Sequence, residues 1–213
     1  MAAASGKVLR ILISLSKAPS PGPAPVFSYT HICLALLTIG DGGPIGRIEL
    51  SRRLGLGEGT IRTIIKHLAD ADLVATVKEG CVLTKRGTTI YKSLRAKLSQ
   101  VSIVDAKQLA LDKVSAAILI RGASRLVKRG IEQRDEAIRA GARGACTLVV
   151  RKGKYVMPMA ENGDWTFGPE DPLVEELERV FHPKENDVVT ITSASSRLLA
   201  EHAVIAAAIT LLE

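Results

Sequence analysis

The segment from Gly46 to Gly87 most constrains the fold, because its periodicity changes from helix to strand and back. It reads GRIELSRRLGLGEGTIRTIIKHLADADLVATVKEGCVLTKRG. Two helical patterns, at 48–54 and 58–71, are separated by a Gly-Leu-Gly turn. Two short β-branched runs then flank a Lys-Glu-Gly turn within 73–84. With a helix predicted at 28–39, capped by Ser28, and another at 88–101, the order is helix, helix, helix, hairpin, helix.

The third of these helices has one apolar stripe and one polar face. Successive residues turn by about 100° around an α-helix, so Ile61, Ile64, Ile65 and Leu68 share a stripe about 100° wide. That stripe predicts the core face. The opposite face begins with small residues and continues with cations, which is the composition of a helix that enters the major groove of DNA. The predicted groove-facing residues are Gly59, Thr60, Arg62, Thr63 and Lys66.

Glycines before a helix are also typical of nucleotide-binding loops, so such a loop is the alternative to a turn between two DNA-binding helices. A Walker loop requires GxxxxGK[ST] after a strand, and a dinucleotide-binding loop requires GxGxxG between a strand and a helix. Here a helix precedes Gly55, Gly57 and Gly59, and no Lys-Ser or Lys-Thr follows them. Both requirements fail, so the sequence does not support a nucleotide cofactor.

Basic residues concentrate in the first half of the chain. Residues 1–104 contain 14 Lys and Arg against 6 Asp and Glu, whereas residues 105–213 contain 15 against 16. A basic module beside a neutral one is typical of nucleic-acid binding. A solvated basic surface is the alternative. Cations on neighbouring elements favour contact with phosphates, and the predicted phosphate-contacting residues are Arg52, Arg53, Lys78, Lys85 and Arg86.

These motifs resemble the winged helix-turn-helix domains of prokaryotic transcription regulators, including the Leu-Thr-Lys-Arg-Gly that closes the hairpin. Together with GIEQRDEAIRAGARGACTLVV in the second half, the chain is similar to the archaeal DUF4443 family. The resemblance implies an archaeal regulator that binds double-stranded DNA. It implies no known ligand and no catalytic residue.

The second half has the pattern β-α-β-β-α-β-α. This order predicts a ferredoxin-like βαββαβ sandwich with an extra C-terminal helix, so the whole chain is expected to be α+β. We therefore divide the chain into an N-terminal helix with a Pro-rich connector (1–27), a winged helix-turn-helix domain (28–104) and an α+β effector or dimerisation domain (105–213).

Arg134 and Asp135 are the first candidate effector-binding residues. On a helical wheel they flank the predicted apolar face formed by Ile131, Ile138 and Ala142. Charge at the edge of a packing face is costly unless it is paired or bound. Three interpretations stay open: salt bridges that fix the helix on the sheet, contact with a small anionic effector, or a solvated edge of the helix.

The second candidate is the serine-rich turn TSASSR at residues 192–197. A strand runs into this turn and a helix follows, so free N–H groups there can hold an anion. Ordinary capping of the helix is the alternative. The candidate residues are Ser193, Ser195, Ser196 and Arg197.

Catalytic and metal-binding patterns are absent from the sequence. The four histidines are scattered, the three cysteines lie far apart, and no GxSxG, HExxH or CxxC occurs. We therefore expect a protein that is not an enzyme, without metal or cofactor, in a reduced cytoplasmic compartment. No apolar run reaches the length of a membrane helix.

Two apolar helices are candidates for subunit contact. Winged-helix regulators usually bind DNA as two-fold dimers. The helix at 203–212 is apolar nearly all round, and 8–15 is a short amphipathic helix. We expect a homodimer that uses one or both. An enzyme with its chemistry in the second half and a protein–protein adaptor remain the alternatives.

Overall fold

The structure, a computed structural model, describes residues 2–16, 26–158 and 163–212. It divides into two compact units, Met1–Leu94 and Arg95–Glu213. The second unit starts before the predicted boundary at residue 104, because residues 102–104 pair with its sheet. The Pro-rich connector predicted at residues 18–25 lies outside the described residues.

The first unit has the predicted order of helices and hairpin. Its elements are α1 (Ala2–Leu15), α2 (Tyr29–Gly42), α3 (Arg47–Leu54), α4 (Glu58–Asp70), β1 (Val74–Val77), β2 (Gly80–Leu83) and α5 (Lys85–Lys97). The last three residues of α5 belong to the second unit. The predicted core face of α4 is confirmed, since Ile61, Ile64, Ile65 and Leu68 are all buried. This is the architecture of a winged helix, with the β1–β2 hairpin as the wing.

The wing is joined to the segment before α3 by a short β-bridge. Ile45 and Cys81 exchange backbone hydrogen bonds of 3.1 and 2.8 Å. Gly80 has φ of +139°, and a Cβ there would lie 2.6 Å from the carbonyl carbon of Ile45. Glycine is therefore required where the bridge and the wing meet.

The Leu-Thr-Lys-Arg-Gly motif closes the wing through two contacts. The Thr84 hydroxyl donates to the carbonyl of Asp72 and accepts from the Gly87 N–H at 3.0 Å, so it caps α5. A Cβ on Gly87 would lie 1.9 Å from the carbonyl oxygen of Leu73. Glycine at this position lets α5 pass directly against the backbone that enters the wing.

Ser28 begins α2 as predicted, in a reciprocal capping box with His31. The Ser28 N–H donates to Nδ1 of His31 at 3.1 Å. Burial lowers the pKa of His31 from its usual 6.5, which favours the neutral imidazole that can accept this bond.

We expect the first unit to lose stability in mild acid. The folded pKa of His31 lies below the unfolded value of 6.5, so its contribution is fully present above pH 6.5 and falls as the pH drops toward the folded pKa. Replacing His31 by Gln, which can complete the same capping box, should flatten this dependence. Urea unfolding of both proteins between pH 7.5 and 5.5 measures how the free energy of unfolding depends on pH. The same dependence in both proteins would contradict the role given to His31.

The second unit is built on one antiparallel sheet. Its elements are β3 (Ser102–Val104), β4 (Val114–Ile120), α6 (Ile131–Arg139), β5 (Gly144–Arg151), β6 (Lys154–Met157), β7 (Trp165–Phe167), α7 (Pro172–Phe181), β8 (Val188–Ala194) and α8 (Arg197–Ile209). The strand order is β3-β4-β8-β5-β6-β7. The α+β class is confirmed, and the edge strands β3 and β7 are additions to the predicted pattern.

The sheet order differs from that of a ferredoxin-like sandwich, which would put β6 between β4 and β5. Here β8 occupies that position and is antiparallel to both. The reason is burial, because a central strand covered on both faces needs apolar or small residues on both sides. All seven residues of β8 are buried, whereas the four-residue β6 starts with an exposed lysine.

Helices cover both faces of this sheet. Leu173, Val174 and Leu177 of α7 pack into the core on one face. On the other face α8 contacts β4 and β8, and α6 contacts α8 and β5. Residues 203–209 of α8 are all buried in the chain, so this helix does not offer the exposed apolar surface that a dimer contact through it would use. Among the described residues, no helix is long and apolar enough to cross a membrane.

Candidate nucleic-acid interface

The turn between α3 and α4 needs only one of its three glycines. Gly55 has φ of +64° and ends α3 in the left-handed conformation, where its N–H donates to the carbonyl of Ser51. Gly57 is the N-cap of α4 with φ of −61°. A Cβ on Gly57 or Gly59 would meet no atom within 4 Å. Turn geometry therefore explains Gly55 alone, and the other two leave an open surface.

The outward face of α4 has the composition predicted for it. Gly59, Arg62, Thr63 and Lys66 are exposed, and Thr60 is half-buried. The Thr63 hydroxyl donates to the carbonyl of Gly59 at 3.1 Å, which leaves its oxygen free to accept. Neither Arg62 nor Lys66 has an ion pair within the part of the chain that the structure describes. Their positive charges are therefore available to an external partner.

Exposed cations that make no ion pair with a described residue also occupy the wing tip and the start of α5. Lys78 is exposed in the turn of the hairpin, and Lys85 and Arg86 form the exposed first turn of α5. Cations at a helix N-terminus oppose the helix dipole by about 0.3–1 kcal/mol each. No acidic residue stands in this turn to offset them. Helix stability therefore does not account for Lys85 and Arg86.

Arg52 and Arg53 differ, because both are paired within α3. Glu49 accepts two bonds from Arg52, at 2.7 and 2.9 Å, and one from Arg53 at 2.6 Å. These bonds, led by the one from Arg53, lower the pKa of Glu49. The two arginines also lie in the last turn of α3, where cations favour the helix dipole. Glu49 is not among the residues predicted from the sequence, although its spacing to both arginines is that of helical ion pairs.

Arg134 and Asp135 do not flank a buried face. Ile131 and Ile138 are 43% and 41% exposed, and the buried residues of α6 are Gln133 and Ala137. The predicted apolar face was therefore wrong for Ile131 and Ile138, while Ala142 is buried as predicted. Close packing between α6 and α8 relies on small residues, with Ala137 in one cluster with Ala203 and Ala207. Arg134 and Asp135 are exposed, so the cost that suggested a bound effector does not arise.

The serine-rich turn is occupied by ordinary structural bonds. Ser196 caps α8 by accepting from the Leu199 N–H, at 3.3 Å. Ser193 is buried in β8, and its hydroxyl is 3.0 Å from that of Ser115. Arg197 pairs with Glu201 at 2.7 Å, and Ser195 is exposed. These contacts agree with ordinary capping of the helix, and they do not bring the candidate side chains together around one anion site.

His67 and His182 occupy structural positions. Nδ1 of His67 lies 2.7 Å from the carbonyl oxygen of Leu15, and its ring meets Phe27 edge-on. His182 ends α7 in the left-handed conformation.

Burial raises the pKa of the Cys81 and Cys146 thiols. Within residues 2–16, 26–158 and 163–212, no three His, Cys, Asp or Glu side chains form a metal-binding group.

Comparison with known families supports the two-unit description. Residues 111–211 match the domain of unknown function DUF4443, and residues 34–89 match the PH0730-like N-terminal domain. The hypothetical protein PH0730 from Pyrococcus horikoshii OT3 is structurally similar, with a TM-score of 0.67 and 26% identity. The match covers 85% of this chain and 91% of that chain. The resemblance to archaeal DUF4443 proteins is thus confirmed.

A more distant structural similarity is found with the MarR-family protein Rv2887 of Mycobacterium tuberculosis. It covers 43% of this chain and 65% of that chain, at 22% identity and a TM-score of 0.30. None of the curated proteins matches this chain.

Proposed function

We propose that this chain, a winged helix followed by a DUF4443 domain, is a cytoplasmic transcription regulator that binds double-stranded DNA. The observation that carries the proposal is the outward face of α4, where Gly59, Arg62, Thr63 and Lys66 are exposed. The two cations make no ion pair with any residue that the structure describes. A helix of this composition suits the major groove, with small residues near base edges and long cations on bases or phosphates.

The remaining roles follow from the charges. Lys78, Lys85 and Arg86 would contact phosphates from the wing and the start of α5. Arg52 and Arg53 would contribute less, since Glu49 already holds both. The second unit would sense a small molecule, hold two copies of the chain together, or both. In this proposal the chain acts by binding and not by catalysis.

The salt dependence of binding tests the role of Lys85. Each phosphate contact that is lost lowers the slope of log K against log salt by about one. We therefore expect Lys85→Ala to lower the slope by about one on any duplex. The folded state should become slightly more stable, because a cation is removed from the N-terminus of α5. Fluorescence anisotropy between 50 and 200 mM salt measures the slope, with Lys154→Ala in the second unit as the matched control. Weak binding without salt dependence would point to the adaptor function instead.

Removing the carboxylate of Glu49 should have the opposite effect. Glu49→Gln keeps the shape of the side chain but releases the charges of Arg52 and Arg53, so we expect a higher affinity for DNA. The salt slope should rise by up to about one for each arginine that gains a phosphate. The same anisotropy titration measures it. Glu201→Gln, which releases Arg197 in α8, is the matched control, and equal effects of the two substitutions would contradict the proposed surface.

A further inference from the structure

Basic residues from three separate segments meet at one end of the sheet in the second unit. The segments are the last turn of α5, the connection from β4 to α6, and the loop before β8. Residues 105–213 contain 15 Lys and Arg against 16 Asp and Glu, so this concentration does not reflect the overall composition. We call the set the basic end, and its members are Lys97, Arg121, Arg125, Lys128, Arg129 and Lys184.

Short hydrogen bonds join the three segments. The Arg121 N–H donates to the carbonyl of Lys97 at 2.8 Å. The carboxylate of Asp187, buried just before β8, accepts from the N–H groups of Gly122 at 2.8 Å and of Lys184 at 2.9 Å. The basic end is therefore fixed by the fold itself, and a partner that binds there loses little free energy in ordering it.

The connection from β4 to α6 holds its cations on a firmly packed backbone. Ser124 is 3% exposed, and its N–H donates to the carbonyl of Asn186 at 3.0 Å. The neighbouring residues Ala123 and Val127 are also buried. Buried anchors thus alternate with cations that point to solvent, and the exposed cations are Arg121, Arg125, Lys128 and Arg129.

The folded chain itself does not account for these charges. Arg125, Lys128 and Arg129 make no ion pair with a described residue, whereas Arg139 and Arg197 of the same unit each pair with a carboxylate on their own helix. Lys128 and Arg129 also directly precede the N-terminus of α6, where the helix dipole disfavours cations. Like charges placed close together lower stability, so an anionic partner would explain why they are there.

The spread of the charges indicates a polymeric anion and not a single small one. Arg125 and Lys128 line a small cavity beside α6, but Arg121 and Arg129 are not part of that lining. The exposed carboxylates in these segments are Glu132 and Glu185, so six cations face two carboxylates. A row of phosphates can contact such an extended surface, because double-stranded DNA carries one negative charge per about 1.7 Å of its axis.

We propose that the basic end binds the phosphate backbone of double-stranded DNA, in addition to the contacts made by the winged helix. The choice of DNA as the polyanion rests on the proposed function. Contacts to phosphates carry no sequence information. The second unit therefore raises affinity for any duplex and leaves the discrimination between sequences to the first unit.

Two triple variants of the full chain with the same net charge test this proposal. The first removes three cations of the basic end and combines Arg125→Gln, Lys128→Gln and Arg129→Gln. The second removes three exposed cations from other parts of the same unit and combines Lys113→Gln, Arg134→Gln and Arg143→Gln. Both variants lose the same charge, so the general attraction to DNA falls about equally in both.

The salt dependence of DNA affinity, measured by fluorescence anisotropy between 50 and 200 mM salt, separates the two variants. Each phosphate contact that is lost lowers the slope of log K against log salt by about one. We expect the first variant to lower the slope by about two to three and the affinity by about tenfold or more. The second should lower the slope by less than about 0.5. Equal urea midpoints of the two variants would show that both keep the fold.

An unchanged slope in the first variant, or equal slopes in both, would overturn the proposal. Tighter binding of an RNA duplex of the same length through the same cations would also overturn it. Failure of the proposed function looks different. If the first triple variant lowers the slope while Arg62→Ala and Lys85→Ala change nothing, the role of the winged helix fails and the basic end stands. The reverse result removes the basic end alone, and a chain that binds no DNA refutes both.

Discussion

Replacing Arg62 by alanine is expected to cost about 1–3 kcal/mol of discrimination between a cognate site and unrelated DNA. Arg62 is exposed on the outward face of α4 and has no ion pair within the described residues. An arginine that forms two bonds to a guanine edge is the commonest specific contact in the major groove. Arg62→Ala should therefore lower the affinity for the cognate site more than the affinity for unrelated DNA.

The cognate duplex is first obtained by selecting fragments of the source genome on the wild-type chain. The ratio of Kd values on this duplex and on a scrambled one is then compared for wild type, Arg62→Ala and Lys66→Ala. Arg134→Ala, an exposed helical arginine of the second unit, is the control and should leave the ratio unchanged. If Arg62→Ala kept the full ratio, α4 would not be the element that distinguishes sequences.

Replacing Gly87 by alanine should have the largest effect on stability. Alanine inside a helix normally stabilises it relative to glycine by about 0.5–1 kcal/mol. At Gly87 the new Cβ would lie 1.9 Å from the carbonyl oxygen of Leu73, so the backbone at the wing must move. Overpacking of this kind costs about 1–3 kcal/mol. We expect net destabilisation of the first unit, measured by urea unfolding.

Gly59→Ala is the matched control, because its Cβ would meet no atom within 4 Å. Gly59→Ala should stabilise α4 by about 0.5–1 kcal/mol, the usual gain when alanine replaces glycine inside a helix. The same variant should lower DNA affinity if the small face of α4 closely approaches the bases. Stabilisation by both substitutions would show that α5 does not need glycine at the wing.

The first unit could be predicted well because local patterns determine it. The core stripe of α4 follows from a period near 3.6 that holds over four apolar positions. The wing follows from two β-branched runs around a turn, and its closing motif contains both the capping Thr84 and Gly87. Each of these features involves residues close together in the sequence, so the physical cause was visible there.

The second unit could be predicted less well because distant partners decide it. Ile131 and Ile138 suggested the buried face of α6, but the alanines of α8 set the actual packing face through Ala137. The strands β3 and β7 have three residues each, too few to show an alternation. Gln133 of α6 donates to the Thr210 hydroxyl, far along the chain, and no local pattern indicates this contact.

The central position of β8 has a consequence for synthesis of the chain. Residues 188–194 pair with both β4 and β5, so the sheet of the second unit stays divided until these residues have left the ribosome. The first unit closes through local contacts and can fold earlier during translation. We therefore expect ribosome-bound chains that end before residue 188 to contain a protease-resistant first unit and a protease-sensitive remainder. A chain released early would keep its winged helix and lack the completed sheet of the second unit.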